Sequence, residues 1–238
     1  VFEFHAEIKK GNKGSAAEHC RYDARMGKWA AQDDLLAFAF GNMPEWSRDH
    51  PLTFWKYADE WERNGGAAYR EWIIALPNQL SIETNIALMK EIAQAVVGPR
   101  PWQAALHGPE AELGGCINLH CHLMYSDRPD DGTARPADRY FTRYNPAHPE
   151  RGGCRKLSGG KTPFEMSQDL VASRMTICTI INRYLAEASL SWQVDHRSFR
   201  ARGIDRKAET HLGKAQIRHM SQAQRDEYVA NRQSAHSL

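Results

Sequence analysis

Residues 117–126 read INLHCHLMYS, and the way this stretch alternates decides the reading of the whole chain. Side chains along a strand point to opposite faces in turn. Ile117, Leu119, Cys121, Leu123 and Tyr125 then share one apolar face, which predicts packing on helices. Asn118, His120, His122, Met124 and Ser126 share the other. Two imidazoles two residues apart on a rigid strand face one way, the arrangement by which a sheet presents them to a single metal ion. His107 ends the preceding predicted strand. If the two strands are neighbours it supplies a third imidazole, leaving open positions for a substrate.

Working outward, 101–107 reads as a short strand and is followed by a glycine-containing loop to residue 115. Upstream, 69–76 (YREWIIAL) reads as a strand closed by Pro77, and 81–97 as an amphipathic helix with Ile82, Ile86, Met89 and Ala93 in line. Residues 1–8 alternate as a strand, and Gly11, Asn12 and Gly14 make a turn. Ser15 with Glu18 has the spacing of a capping box, so a helix is predicted from there to about Met26, with Gly27 closing it. A second helix is predicted over 35–40, where no breaker intervenes, and a third opens at Pro51 with Phe54, Trp55, Ala58 and Trp61 on its apolar side. Downstream, 127–160 reads as loops around a short helix, 162–188 as a long helix, and 214–231 as a weaker one. No internal repeat is visible. The element order predicts an α/β sandwich with a largely antiparallel central sheet.

Composition bounds the function classes. The 238 residues are 42% hydrophobic and 25% charged, enough to bury a core. A net charge of +2 does not by itself announce a nucleic-acid protein, but 196–238 carries nine Lys/Arg against four Asp/Glu, a local excess that attracts phosphate. Five cysteines, an odd number without a Cys-x-x-Cys, argue against a disulfide framework and for a reducing cytoplasm. No apolar stretch is long enough to span a bilayer, and the N-terminus has no signal-peptide pattern.

Tyr22 lies on the first predicted helix among Glu18, His19, Arg25 and Met26. A phenol is a weak nucleophile unless a charge or base assists it, and a metal that polarises a phosphate lessens that need. Glu71, the acid of the 69–76 strand, is placed to orient a metal-bound histidine or accept a proton. The aromatics Trp46, Phe54, Trp55, Tyr57, Trp61 and Trp72 read as core rather than as a base-stacking surface. Other candidates for a third ligand are His19 and His148.

The string NLHCHLMYSDR (118–128) resembles the Asn-x-His-x-His-x-Met-x-Ser/Thr-x-Arg motif of MobA/MobL plasmid mobilisation relaxases. GNKGSAAEHCRYDARMGKW (11–29) is similar to that family's tract leading to its tyrosine, and FWKYADEWERNGGAAYREWIIALP (54–77) to its tryptophan-containing helix and following strand. RYNPAHPERGG (143–153) and VDHRSFRARGIDRKAETHLG (194–213) also have counterparts there. The resemblance implies an HUH-endonuclease fold, with 1–190 as catalytic domain and 191–238 as a basic, mostly helical extension of it. It implies Tyr22 as nucleophile, Glu71 as supporting catalytic acid, and His107, His120 and His122 as ligands of a divalent metal, Mn or Mg by family and Zn or Ni by ligand chemistry. Arg25 and Arg128 are expected to contact DNA.

The implied activity is cleavage of one strand of single-stranded plasmid DNA at a transfer origin, leaving a 5′-phosphotyrosine and a free 3′-OH. Accessory mobilisation proteins and a type IV secretion coupling protein are the implied partners, and the bacterial cytoplasm, with transfer alongside the DNA, the implied location. The tyrosine precedes the histidine pair, as in relaxases, whereas replication initiators of this fold place it after. A rolling-circle initiator, a non-catalytic DNA-binding scaffold and a water-activating histidine metallohydrolase are the alternatives.

Overall fold

The computed structural model describes residues 3–111, 113, 117–205 and 214–235. Among the described residues five strands form one antiparallel sheet: β1 (Ala6–Asn12), β2 (Leu35–Gly41), β3 (Ala67–Ala75), β4 (Trp102–His107) and β5 (His120–Tyr125), in spatial order β1-β3-β5-β4-β2. The helices that position the site are α1 (Ala16–Asp23), α2 (Pro51–Trp61), α3 (Ile82–Val97), α4 (Ala137–Tyr140) and α5 (Pro163–Glu187), and α6 (Lys214–His219) and α7 (Gln222–Ala235) follow. The expected α/β sandwich with an antiparallel sheet is what forms.

Alternation distributes the core as the sequence predicts, except at the start of the 117–126 stretch, where β5 begins only at His120 and Ile117 is exposed. Leu119, Cys121, Leu123 and Tyr125 join Trp72, Ile74, Trp102, Ala104 and Leu106 on one sheet face, where Leu88, Ile92, Ile177 and Ile181 of α3 and α5 cover them. On the opposite face a smaller cluster, with Cys20, Phe54, Trp55, Tyr69 and Met124, seats α1 and α2. The aromatics do serve as core: Phe54, Trp55 and Trp72 are buried and Trp46 stacks on Phe54, although Trp61 stays exposed. The helix α5 starts at a complete capping box, Thr162 with Glu165.

Several local expectations need correction. Residues 35–41 are a strand, not a helix. Ala37 and Ala39 pack on the core while Leu36 and Phe40 are exposed, so both faces are apolar and the two-residue period is hidden. The strand β1 runs four residues further than 1–8 suggests, through Gly11 and Asn12, because β3 pairs with it that far. Ser15 makes no side-chain cap on α1. Its hydroxyl donates to the Asn12 carbonyl, and the Asp59 carboxylate of α2 accepts from the amides of Gly14, Ala16 and Ala17 instead. Nor does Gly27 close that helix. Arg25 takes the left-handed conformation (φ 51°), with its N–H donating to the Tyr22 carbonyl and that of Met26 to Arg21, the hydrogen-bond pattern of a glycine C-cap made with an arginine. Cys20, Cys121, Cys154 and Cys178 are free and buried. Cys116 and parts of the 107–115 loop and of the basic 196–238 stretch lie outside the described residues.

Candidate metal centre and nucleophile

The antiparallel register of β4 and β5 sets His107 directly opposite His120, and Ala105 opposite His122. One nitrogen from each of His107, His120 and His122 can be chosen so that all lie within 4.8 Å of one another. The neighbouring-strand condition for a third imidazole is therefore met. His19 falls in a second group with Asp23, Glu71 and His122. His148 is exposed on a distant loop beside Glu150.

Each ring's tautomer follows from its partner. The Nδ1–H of His120 donates to the Asn118 carbonyl at 2.7 Å, and that of His122 to Glu71 Oε1 at 2.7 Å. Both therefore keep an unprotonated Nε2. In His107, Nε2–H donates to the Asp23 carbonyl at 2.7 Å, and Nδ1 accepts from Arg25 Nη2 at 3.2 Å. Arginine has only donors to offer, which fixes this assignment. The donor set suits a divalent ion: two imidazole lone pairs are ready, and a third becomes available once His107 gives up Arg25 or Asp23. Burial drives the His107 ring down to about 3 and the His120 ring down to about 4, so both are neutral at physiological pH, the form that ligates.

Behind the histidines stand two acids. Glu71 Oε1 accepts from both His122 and His19, the latter at 2.8 Å. Burial alone would raise its pKa, but those two imidazoles outweigh it and hold the carboxylate ionised. Asp23 was not singled out by the sequence reading. It is fully buried, its Oδ2 accepts from Gln103 Nε2 at 3.1 Å, and Gln103 in turn accepts from Trp55. Its Oδ1 has no hydrogen-bond partner and lies 3.6 Å from His19 and 3.7 Å from His122. Burial raises its pKa. Nothing in the sequence separates such an acid from a surface one.

Tyr22 reaches this centre from α1. Its ring centroid is 5.8 Å from that of His122 and 6.2 Å from that of His107, both nearly edge-on. The Arg25 guanidinium lies over the Tyr22 ring at 4.6 Å. Tyr22 lines a cleft of about 360 Å³ with Glu18, His19, Trp29 and Tyr69. Trp29 also escaped the sequence reading. The two positive-φ residues Arg25 and Gly27 turn the chain back so that Trp29 meets Tyr22 edge-on at 5.0 Å.

The two arginines expected to grip DNA are otherwise occupied. Arg25 makes a two-pronged ion pair with Asp34 (2.6 and 2.8 Å) and donates to the Tyr22 carbonyl. These contacts tie the end of α1 to Asp34 and His107. Arg128 is 4% exposed. It pairs with Glu62 and donates to the carbonyls of Phe141, Thr142 and Cys154. Its guanidinium donors are all taken up inside the protein.

The antiparallel sheet thus brings three histidines together, faced by a tyrosine from a helix earlier in the chain. Residues 21–222 match the model of the MobA/MobL family, and the chain belongs to that family. It is 37% identical over 206 residues to a "43 kDa relaxation protein" of Salmonella typhimurium, covering 85% of this chain and 56% of that protein. It is 36% identical over 216 residues to "Mobilization protein A" of Escherichia coli, covering 88% of this chain and 29% of that one. The chain thus spans about half, or less, of the length of these relatives. A solved structure described as "Molecular Basis of Vancomycin Resistance Transfer in Staphylococcus aureus" shares the fold, with a TM-score of 0.58 at 18% identity over 83% of this chain and 100% of that one.

Proposed function

We propose that the chain is a DNA relaxase that nicks one strand of single-stranded plasmid DNA at a transfer origin. The observation that carries this reading is the approach of the Tyr22 ring to within 5.8 Å, centroid to centroid, of His122 in the three-histidine centre. The Tyr22 phenolic oxygen attacks the scissile phosphorus and the bond to the 3′-oxygen breaks. The phenolic proton is lost and the 3′-oxygen gains one, giving a 5′-phosphotyrosine and a free 3′-OH. The reverse transfer reseals the strand. His107, His120 and His122 would hold a divalent ion, Mn or Mg by family and Zn or Ni by ligand type, whose charge neutralises the phosphate under attack. Glu71 orients His122 and His19, and Arg25 holds Tyr22 against the centre.

Residues 1–190 would form the catalytic unit and 191–238 its basic extension. Accessory mobilisation proteins and a secretion coupling protein are the partners this role requires, and the bacterial cytoplasm is where it would act. No helix among the described residues is long and apolar enough to cross a membrane. The test is to incubate the protein with single-stranded plasmid-derived DNA, with and without EDTA. Metal-dependent nicking supports the reading. Binding without nicking in any divalent metal would favour a scaffold, and nicking that leaves a free 5′-phosphate would favour a metallohydrolase.

A further inference from the structure

We infer that the cleft beside Tyr22 is a nucleobase subsite, with Trp29 as its stacking platform and Lys28 holding that place until single-stranded DNA arrives. The inference rests on the relaxase reading above, because it takes Tyr22 to be the attacking group. A cleft lined by Tyr22, Trp29, His19 and Tyr69 then lies beside the scissile phosphate, within reach of a nucleotide next to it. The walls suit a base. His19 and Tyr69 stack on each other at 4.9 Å and 14° and form one aromatic wall, while Trp29 stands nearly perpendicular to the Tyr22 ring and offers the platform. Aromatic faces of this kind bind single-stranded bases with little regard to sequence.

A face of the Trp29 ring is covered by one loosely held group. The Lys28 ammonium lies 5.0 Å from the ring centroid and 2.6 Å from Glu18 Oε1, and its side chain is 66% exposed. Exposed cation–π contacts and exposed ion pairs are both weak. A base would cover the ring with more apolar area and displace the ammonium. Lys28 is then released beside a phosphate chain. Arg21, 3.3 Å from Glu18, is a second cation at the same rim. These side chains, rather than the buried Arg25 and Arg128, supply the mobile positive charge next to Tyr22.

The test uses Tyr22→Phe as background, so that binding is read without cleavage. Fluorescence anisotropy compares an oligothymidylate with an abasic strand carrying the same number of phosphates. Trp29→Ala should weaken oligothymidylate binding about tenfold or more and leave the abasic strand unchanged. Trp29→Phe, which keeps an aromatic face, should recover most of that loss. Lys28→Ala should lower the salt slope for oligothymidylate by about one. If Trp29→Ala weakens both strands alike or neither, or if Trp29→Phe recovers nothing, the subsite is overturned while the relaxase reading stands. If the background protein binds neither strand, the subsite is overturned, and if it also fails to bind a strand carrying the transfer origin, the relaxase reading falls with it.

Discussion

Glu71 Oε1 takes hydrogen bonds from two imidazoles, which makes this one oxygen the link between the candidate metal centre and the cleft. Such partners raise ligand basicity and fix ring orientation, and their loss costs metal affinity roughly 10- to 100-fold. Glu71→Gln should weaken divalent metal binding by that order in a calorimetric titration. Unchanged affinity would show that Glu71 does not support the centre. Arg128 carries a different expectation. Its removal leaves the Glu62 carboxylate buried without its main partner, and losing one member of a buried pair costs about 3–5 kcal/mol. Arg128→Ala should therefore lower the unfolding free energy by that order in urea. Any folded fraction should show an unchanged salt slope for DNA, because the guanidinium has no free donor for phosphate.

The depressed histidines give a pH dependence with a definite sign. In the folded, metal-free protein burial holds His120 at about 4 and His107 at about 3, whereas an unfolded histidine takes up a proton near pH ~6.5. Between these values the unfolded chain binds more protons. The contribution of each ring to stability is full above about 6.5 and falls as pH drops toward its folded value. His19 works against this trend, since Glu71 and Asp23 outweigh its burial and raise it. The clean comparison is therefore wild type against His120→Gln in EDTA. Thermal melts should show the wild type losing more Tm than the variant between pH 6.5 and pH 4.5 (about the window of the His120 shift). Equal losses would contradict the assignment.

At the scale of elements, α1 is held as much by its neighbours as by its own sequence. Asp59 of α2 accepts three backbone amides at its start, and the side chain of Arg25 ties its end to Asp34. Loss of a capping acceptor costs roughly 1–2 kcal/mol. Asp59→Ala should destabilise the protein by about that much and slow any Tyr22 chemistry, as read by urea unfolding and nicking rate. An unchanged unfolding midpoint would show that the cap contributes nothing. Gly11 on β1 lies under the Tyr69 ring, where a Cβ would sit 1.8 Å from a ring carbon. The place Tyr69 occupies beside His19 thus depends on that glycine.

The same elements show what a sequence can disclose. The faces of β5 were legible because one is apolar and the other carries the histidines. The 35–41 strand was not, since alanine faces the core and leucine and phenylalanine face outward, which erases the contrast alternation relies on. The Ser15–Glu18 spacing predicted a cap that Asp59, 44 residues further on than Ser15 in the numbering, supplies instead. His120 and His122 stand out by alternation on one strand face, whereas Tyr22 is singled out by the resemblance of 11–29 to a relaxase tract and His107 by ending the strand before. Asp23, Gln103 and Trp29 are not, because their importance comes only from being brought together. Arg128 shows the converse: its place at the end of the histidine strand suggests a DNA contact, whereas tertiary packing buries it.

Over the whole molecule, the order β1-β3-β5-β4-β2 puts the histidine strand at the centre of the sheet, flanked by β3 with Glu71 and β4 with His107. One face is sealed by α3 and α5, and the other receives α1, so the tyrosine has a single rigid surface to meet. The central claim is that this meeting makes Tyr22 the nucleophile. The most direct measurement is intact mass after incubation with single-stranded DNA containing the plasmid's transfer origin and Mn²⁺. Wild type should gain the mass of the nucleotides downstream of the nick, joined through their 5′-phosphate, on a peptide containing Tyr22, and Tyr22→Phe should bind the strand but gain nothing. Nicking retained by Tyr22→Phe, or an adduct on another residue, would contradict the account.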